Sequence, residues 1–288
     1  DADLQLAAPG IAYGTYRFAK PRLRAVVKDG VLDIKPLTGL LFDGNVALNA
    51  RLDGRSKPAT SLTIDIKGGN LKKALMAAAG VDVASGSFGL DGSFQAGGRN
   101  QLEMIRSLGG QASFAAEQGI VQGFDLKALS DRLKQLDRGG DFLRLIQTSM
   151  KGGQTRFSRV GGTAKIERGV ARSDDIRAEL EAGAGTGRGS VDLPRWLIDF
   201  FGEFRLSEHP KAPPVGLVLR GPLDAPQRDI KSRKLEAYVS RRVGSTLLRK
   251  FGGKKLKGVL GGALGGNQPA PTQQQPQTQT QPQTQQQP

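Results

Sequence analysis

Apolar and polar residues alternate with period two along most of the chain. Val46, Leu48, Ala50 and Leu52 alternate with Asn45, Ala47, Asn49 and Arg51, and Leu62, Ile64 and Ile66 with Ser61, Thr63, Asp65 and Lys67. Phe88, Leu90 and Phe94 share one side of a third segment whose other side carries Asp91, Ser93 and Gln95. Shorter runs repeat the pattern at Leu23-Ala25-Val27, Ala164-Ile166, Ile176-Ala178-Leu180 and Val215-Leu217-Leu219. Successive side chains of a strand point to opposite faces, so each segment has one dry and one wet face. This predicts antiparallel sheet, because parallel strands buried on both faces read as continuous apolar runs. Asp29-Gly30, Asp43-Gly44, Asp53-Gly54 and Asp91-Gly92 fall between or inside the runs. Glycine there supplies the positive φ of a tight hairpin or bulge. The expected fold is mainly β with a few helices, built on a long meandering sheet.

Helical spacing interrupts the strands. Leu71, Leu75, Ala78 and Ala79 follow one helix face, with Asn70 as N-cap and Gly80 as the stop. Leu102, Ile105 and Leu108 form a shorter turn or two after Asn100. Asp125 caps a helix carrying Leu126, Leu129, Leu133 and Leu136, which Phe142, Leu143, Ile146 and Met150 continue after Gly139-Gly140. These helices are expected to cover part of the dry sheet face.

A basic amphipathic helix is expected near the C-terminus. Between Arg228 and Lys257 there are eleven Lys or Arg residues against two acidic ones. Leu235, Val239, Val243, Leu247 and Phe251 recur every fourth residue with Tyr238 beside them, while Arg241, Arg242, Arg249 and Lys250 fall mainly on other faces. Two readings stand. The helix lies on an anionic membrane surface with these residues as contacts, each cation contributing on the order of 1 kcal/mol. Alternatively, its apolar stripe plugs the end of the sheet.

Composition narrows the chemistry. The 288 residues carry a net charge of +15, 40 glycines, 38% apolar and 6% aromatic residues. Cysteine is absent and His209 is the single histidine, which excludes thiol chemistry and a multi-His metal site. No run approaches the roughly 18 apolar residues of a membrane span. His209, in Ser207-Glu208-His209-Pro210, reads as an exposed loop residue. Gly183, Gly185, Gly187 and Gly189 fail the dinucleotide-loop spacing and read as a flexible hairpin. Trp196 near Phe200 and Phe201 reads as a core cluster, with an interfacial anchor as the sharper alternative. No catalytic residue, metal ligand or cofactor is expected. The isoelectric point of 10.3 suggests nucleic acid, but the interleaved aromatics and motifs of such proteins are missing and none is expected as a partner.

Three ordered stretches resemble the C-terminal region of AsmA-like proteins of Gram-negative envelopes. They are Gly119-Ile120-Val121-Gln122-Gly123-Phe124-Asp125-Leu126; Gly152-Gly153-Gln154-Thr155-Arg156-Phe157-Ser158 with Ile166-Glu167-Arg168-Gly169-Val170; and Gly189-Ser190-Val191-Asp192-Leu193-Pro194 with Pro214-Val215 and Gly221-Pro222-Leu223-Asp224-Ala225-Pro226. Asp29-Gly30-Val31-Leu32 and Phe42-Asp43-Gly44 fit as well, so the resemblance covers about the first four-fifths of the chain. It implies a strongly curved antiparallel sheet, folded like a taco shell around an apolar trough. It further implies a role in outer-membrane biogenesis and phospholipid transport, in the periplasm. The inner-membrane attachment would be an N-terminal helix that this chain, starting at Asp1, does not contain.

A sheet with one apolar face must cover it with a second sheet, with helices or with acyl chains. Alternation alone favours a sandwich closed by its own helices; the resemblance favours an open or half-open trough. Each lipid methylene buried there gains about 0.8 kcal/mol without any polar contact. The trough candidates are Val46, Leu48, Leu52, Leu62, Ile64, Ile66, Phe88, Leu90, Phe94, Leu217 and Leu219. The expected organisation is a curved sheet body over 1–226, the basic helix over 227–257, and a Gly-rich then Gln/Pro/Thr-rich disordered tail over 258–288. Expected partners are phospholipid or another acyl lipid, an anionic membrane surface, and envelope proteins. The competing expectation is a closed β domain that serves as a scaffold in envelope assembly and never carries lipid.

Overall fold

The structure is a computed structural model that describes residues 1–135 and 152–251, with side chains excepted from 243 onward. The chain divides into two compact units, Asp1–Val243 and Gly244–Pro288. The sheet and its helices form the first unit. In the second, the backbone of 244–251 is helical. Leu136, Phe142, Leu143, Ile146, Met150 and the Gln/Pro tail lie outside the described residues.

The elements run β1 (Ala2–Ala7), β2 (Gly10–Tyr13), β3 (Tyr16–Lys28), β4 (Val31–Leu41), β5 (Gly44–Asp53), β6 (Ala59–Asn70), α1 (Leu71–Ala79), β7 (Ala84–Gly97), α2 (Gln101–Ser107) and β8 (Gly109–Gln122). There follow α3 (Leu126–Lys134), β9 (Gln154–Glu167), β10 (Val170–Leu180), β11 (Gly183–Asp192), β12 (Leu197–Leu206), β13 (Val215–Pro222), β14 (Gln227–Lys231) and α4 (Arg233–Phe251). The strands form one 14-stranded sheet, ordered as in the sequence except that β1 pairs with β3 and β2 pairs with β3 off the main path. All pairings are antiparallel. The first and last strands do not pair, so the sheet is open. It runs on to Lys231, past the boundary expected at 226, and α4 begins at Arg233.

The register turns alternation into two faces. Gly39, Val46, Ile66, Leu90, Phe114 and Gly162 are partners across successive strands. Ile176, Gly187, Gly202, Leu217 and Ile230 continue that dry row to β14. Asn49, Thr63, Ser93, Gln111, Lys165, Arg172, Ser190, Asp199, Arg220 and Gln227 form an unbroken polar row on the other face.

The sheet curls toward its dry face. Strands β8 and β12 lie four places apart, about 19 Å in a flat sheet. Yet Phe124, just beyond β8, and Phe204 of β12 have ring centroids 5.1 Å apart. Strand twist starts the bend, and glycines on the dry face let it close. A Cβ on Gly187 would come within 2.9 Å of the Phe200 ring, and one on Gly185 within 3.0 Å of Phe204. The glycine stretch is therefore the flat floor of β11 on which two rings rest, where a flexible hairpin was expected.

The turns divide the same way. Asp29-Gly30 has positive φ at both residues, 50° and 76°, as a two-residue hairpin requires. At the next hairpin the left-handed pair is Phe42 and Asp43, one residue before the expected Asp43-Gly44. Asp91-Gly92 is no turn: both lie inside β7, where a Cβ on Gly92 would meet the Phe94 ring at 2.7 Å. Trp196 corrects another expectation. It occupies the β11–β12 turn at φ 58° and is 39% exposed, outside any core cluster. Phe200 and Phe201 are neighbours on one strand and so face opposite ways. Phe200 faces the dry side, while Phe201 stacks under Arg188 on the wet side, 5.4 Å from ring centroid to guanidinium.

Most of the buried apolar side chains gather in two clusters. The larger cluster joins Leu126, Leu129 and Leu133 of α3 to Leu206, Val215 and Leu217 of the sheet and to Leu235 and Val239 of α4. Asp125 fixes the start of α3 by accepting from the Ala128 N–H at 2.7 Å. The fully buried Thr155 then ties helix to sheet: its hydroxyl donates to the Phe124 carbonyl (2.8 Å) and accepts from the Leu126 N–H (3.2 Å). The smaller cluster is Leu41, Val46 and Ile66.

Candidate functional site

Around the smaller cluster, and along the strands beyond it, the dry face is only half-covered. Leu48, Leu62, Ile64, Phe88, Leu90 and Phe94, six of the expected trough residues, are each half-buried. Leu48 faces Ile64, and Leu62 faces Phe94, so they form one surface. Val46 and Ile66, each 3% exposed, belong to the small cluster beneath it. Leu52 lies at the far edge opposite Thr60 and is 38% exposed, outside the half-covered wall. Leu217 is buried in the large cluster, and Leu219 packs against that cluster from the cavity side.

The curl brings α1 and the end of β8 opposite β12–β14, and a cavity of about 840 Å³ lies between them. Leu75, Ala78, Ala79, Val81 and Val83 form one wall; Ile198, Leu217, Leu219, Leu223 and Ile230 form the other, with Val121 and Phe124 between. Its volume falls inside the roughly 300–1,000 Å³ range of small-molecule sites, as does its apolar lining with a few polar groups. Helix α1 has no buried residue of its own, so its apolar stripe faces the cavity and is not sealed against the sheet. Capping holds it there. The Asn70 side chain accepts from the Lys73 N–H at 3.1 Å, and Gly80, at φ 70°, returns its N–H to the Met76 carbonyl.

The polar groups stand at one end. Arg228, Asp229, Ser232 and Glu236 line the cavity where β14 leads into α4. Asp229 is paired with Lys231, and Glu236 accepts from the Ser232 hydroxyl at 2.6 Å.

The C-terminal helix meets the sheet with its apolar stripe. Leu235 is fully buried and Val239 is 2% exposed, both in the large cluster, and Tyr238 packs beside them. These two residues are unavailable to a membrane in this arrangement, so the first turns of α4 act as the plug. Arg241 and Arg242 stay exposed, and Arg242 donates to the Tyr238 hydroxyl at 3.3 Å. The side chains of Val243, Leu247, Arg249, Lys250 and Phe251 lie outside the described residues.

His209 is not a free loop residue. It is half-buried, with Nε2 2.8 Å from the Ser130 carbonyl on α3; a carbonyl accepts, so Nε2 carries the proton. Beside it Glu208 accepts from Ser130 Oγ (2.9 Å) and Lys134 Nζ (2.7 Å). The ammonium and the hydroxyl hold the Glu208 carboxyl below its usual range. This group clasps α3 to the β12–β13 connection. Among the described residues no three of His, Cys, Asp or Glu gather as a metal site.

Sequence reading missed Val81, Val83, Ile198, Leu223 and Ile230 as cavity residues. They lie in short loops, at strand ends or at single apolar positions with too few repeats to show a period. Only the curl of the sheet brings them together.

An open sheet curled around a half-covered apolar wall defines the class, a groove protein. The model of the AsmA family matches residues 19–176, more than half of the chain, and the chain belongs to that family. No curated protein and no solved structure matches it. The matched span runs from β3 into β10, so β12–β14, which supply the far wall of the cavity, lie beyond it.

Proposed function

We infer that this protein holds lipid acyl chains against the dry face of its sheet and contributes to outer-membrane biogenesis and phospholipid transport between membranes. It does so as a binding surface, without catalysing a reaction. One observation carries this function: on the dry face Leu48, Leu62, Ile64, Phe88, Leu90 and Phe94 form an apolar wall that the protein's own side chains leave half-covered. A dry face left half-covered gains from any acyl chain laid on it, at about 0.8 kcal/mol per methylene. Membership of an envelope-associated family supports a periplasmic setting, attachment to the inner membrane, and envelope proteins as further partners.

Photo-crosslinking amino acids placed at Ile64, Leu90 and Leu219, with native mass spectrometry of the purified protein, test this. Crosslinks to acyl chains from all three positions, and co-purifying lipid, are expected. Lipid-free protein with no crosslink from any of them refutes transport and leaves the scaffold. The sealed end favours the scaffold only locally, because α3 and α4 fill the groove at β11–β13 and nowhere else among the described residues.

A further inference from the structure

The cavity has a cation on its dry face. Arg228 pairs in register with Leu219, and its neighbour Ile230 with Leu217, so its side chain shares the face of the apolar wall. Its guanidinium rests against the backbone of Gly123 across the cavity mouth. A Cβ at Gly123 would come within 1.9 Å of Arg228 Nη1, and the φ of +104° at this residue is itself one that side chains rarely adopt. A glycine therefore makes the seat. Among the described residues Arg228 has neither a hydrogen-bond nor an ion-pair partner. Of the acids in the lining, Asp229 pairs with Lys231 and Glu236 accepts from the Ser232 hydroxyl in the first turn of α4; neither is bonded to Arg228.

We propose that Arg228 is the headgroup contact of the cavity and selects a phospholipid of net negative charge, whose phosphate it binds while an acyl chain runs along α1. This rests on the acyl-chain function inferred above and adds selectivity to it. A guanidinium presents its donors in a planar fork that matches two phosphate oxygens. A zwitterionic headgroup brings its own ammonium to the phosphate and gains less from Arg228. Beyond Arg228 and the polar Gln122, Asp229, Ser232 and Glu236 the lining is apolar, so chain and headgroup have separate places, as an amphiphile requires.

The test uses the full chain loaded from detergent with phosphatidylglycerol or phosphatidylcholine of identical acyl chains, with bound lipid counted by native mass spectrometry. Wild type is expected to prefer the anionic lipid about tenfold, which corresponds to about 1.4 kcal/mol. Arg228→Gln should lose the preference yet keep phosphatidylcholine binding, and Arg228→Lys should retain part of it. Arg220→Gln, on the wet face, removes the same charge and should leave the preference intact. Circular dichroism checks that each variant folds. A preference that survives Arg228→Gln, or falls equally in Arg220→Gln, overturns the headgroup assignment while acyl binding stands. Wild type that takes up neither lipid overturns both.

Discussion

Filling the cavity from inside separates a lipid seat from an idle gap. Ala78 projects from α1 into the cavity and is otherwise exposed. In Ala78→Trp an indole enters the space an acyl chain would occupy. The helix loses at most about 0.7 kcal/mol of propensity. Partial burial of the ring against the apolar wall offsets this, since full burial of a large side chain gains about 1.5–3 kcal/mol. The net effect on stability should stay within about 1 kcal/mol. The effect on an occupant is larger. An indole that displaces about four methylenes removes about 3 kcal/mol of transfer free energy, more than a hundredfold in affinity. Native mass spectrometry of variant and wild type purified in parallel should show lipid retention collapse, while urea unfolding midpoints remain close. The added fluorescence reports where the ring lies. Trp196 is 39% exposed and emits toward the red, so a new blue component marks an indole inside the cavity. Undiminished lipid in a folded variant with that blue component refutes the cavity as the seat of the chain.

Three further outcomes test the framework around the cavity. Leu129→Ala removes a fully buried side chain from the cluster that joins α3, the sheet and α4, and should cost about 2–5 kcal/mol by denaturant unfolding. Gly119→Ala places a Cβ 1.9 Å from the Ser85 carbonyl and 2.3 Å from the Phe157 ring; overpacking of this kind costs about 1–3 kcal/mol, and an unchanged midpoint contradicts the close approach of β7 and β8. The Glu208 carboxyl is held low by Lys134 and Ser130, so its folded-state pKa lies below its unfolded one. Its stabilisation is present above the unfolded value of about 4.3 and is lost as pH falls through the folded value. Glu208→Gln should therefore be less stable than wild type near neutrality and converge with it at acid pH; a gap that widens toward acid contradicts the clasp.

Strand identity was legible because a half-covered sheet writes a period of two into its sequence. Val46, Ile66 and Leu90 declared their face before any strand was paired, and the register confirms that they are partners. Helix α3 was legible from Asp125 and the spacing of Leu126, Leu129 and Leu133, all now buried. The other half of the dry row was not, because Gly162, Gly187 and Gly202 have no side chain with which to declare a face. Their contribution is space, and at Gly187 and Gly202 that space shows only once the Phe200 ring is seen lying in it.

Helix α4 shows the limit most sharply. A stripe of period 3.6 states that one side of a helix is covered, and the same stripe serves for a membrane or a protein core. The choice depends on residues far away in sequence: Leu235 and Val239 meet Leu129 and Val215 because the sheet has curled round α3. Arg228 follows from the same geometry. As a member of a basic run it reads as one more surface charge. Only its register with Leu219 turns it inward, and only the absence of a side chain on Gly123 gives it a place there. The proposed headgroup selection thus falls where, among the described residues, a charged strand edge and an apolar wall coincide, and a trough of suitable width elsewhere on the sheet would accept chains without choosing among them.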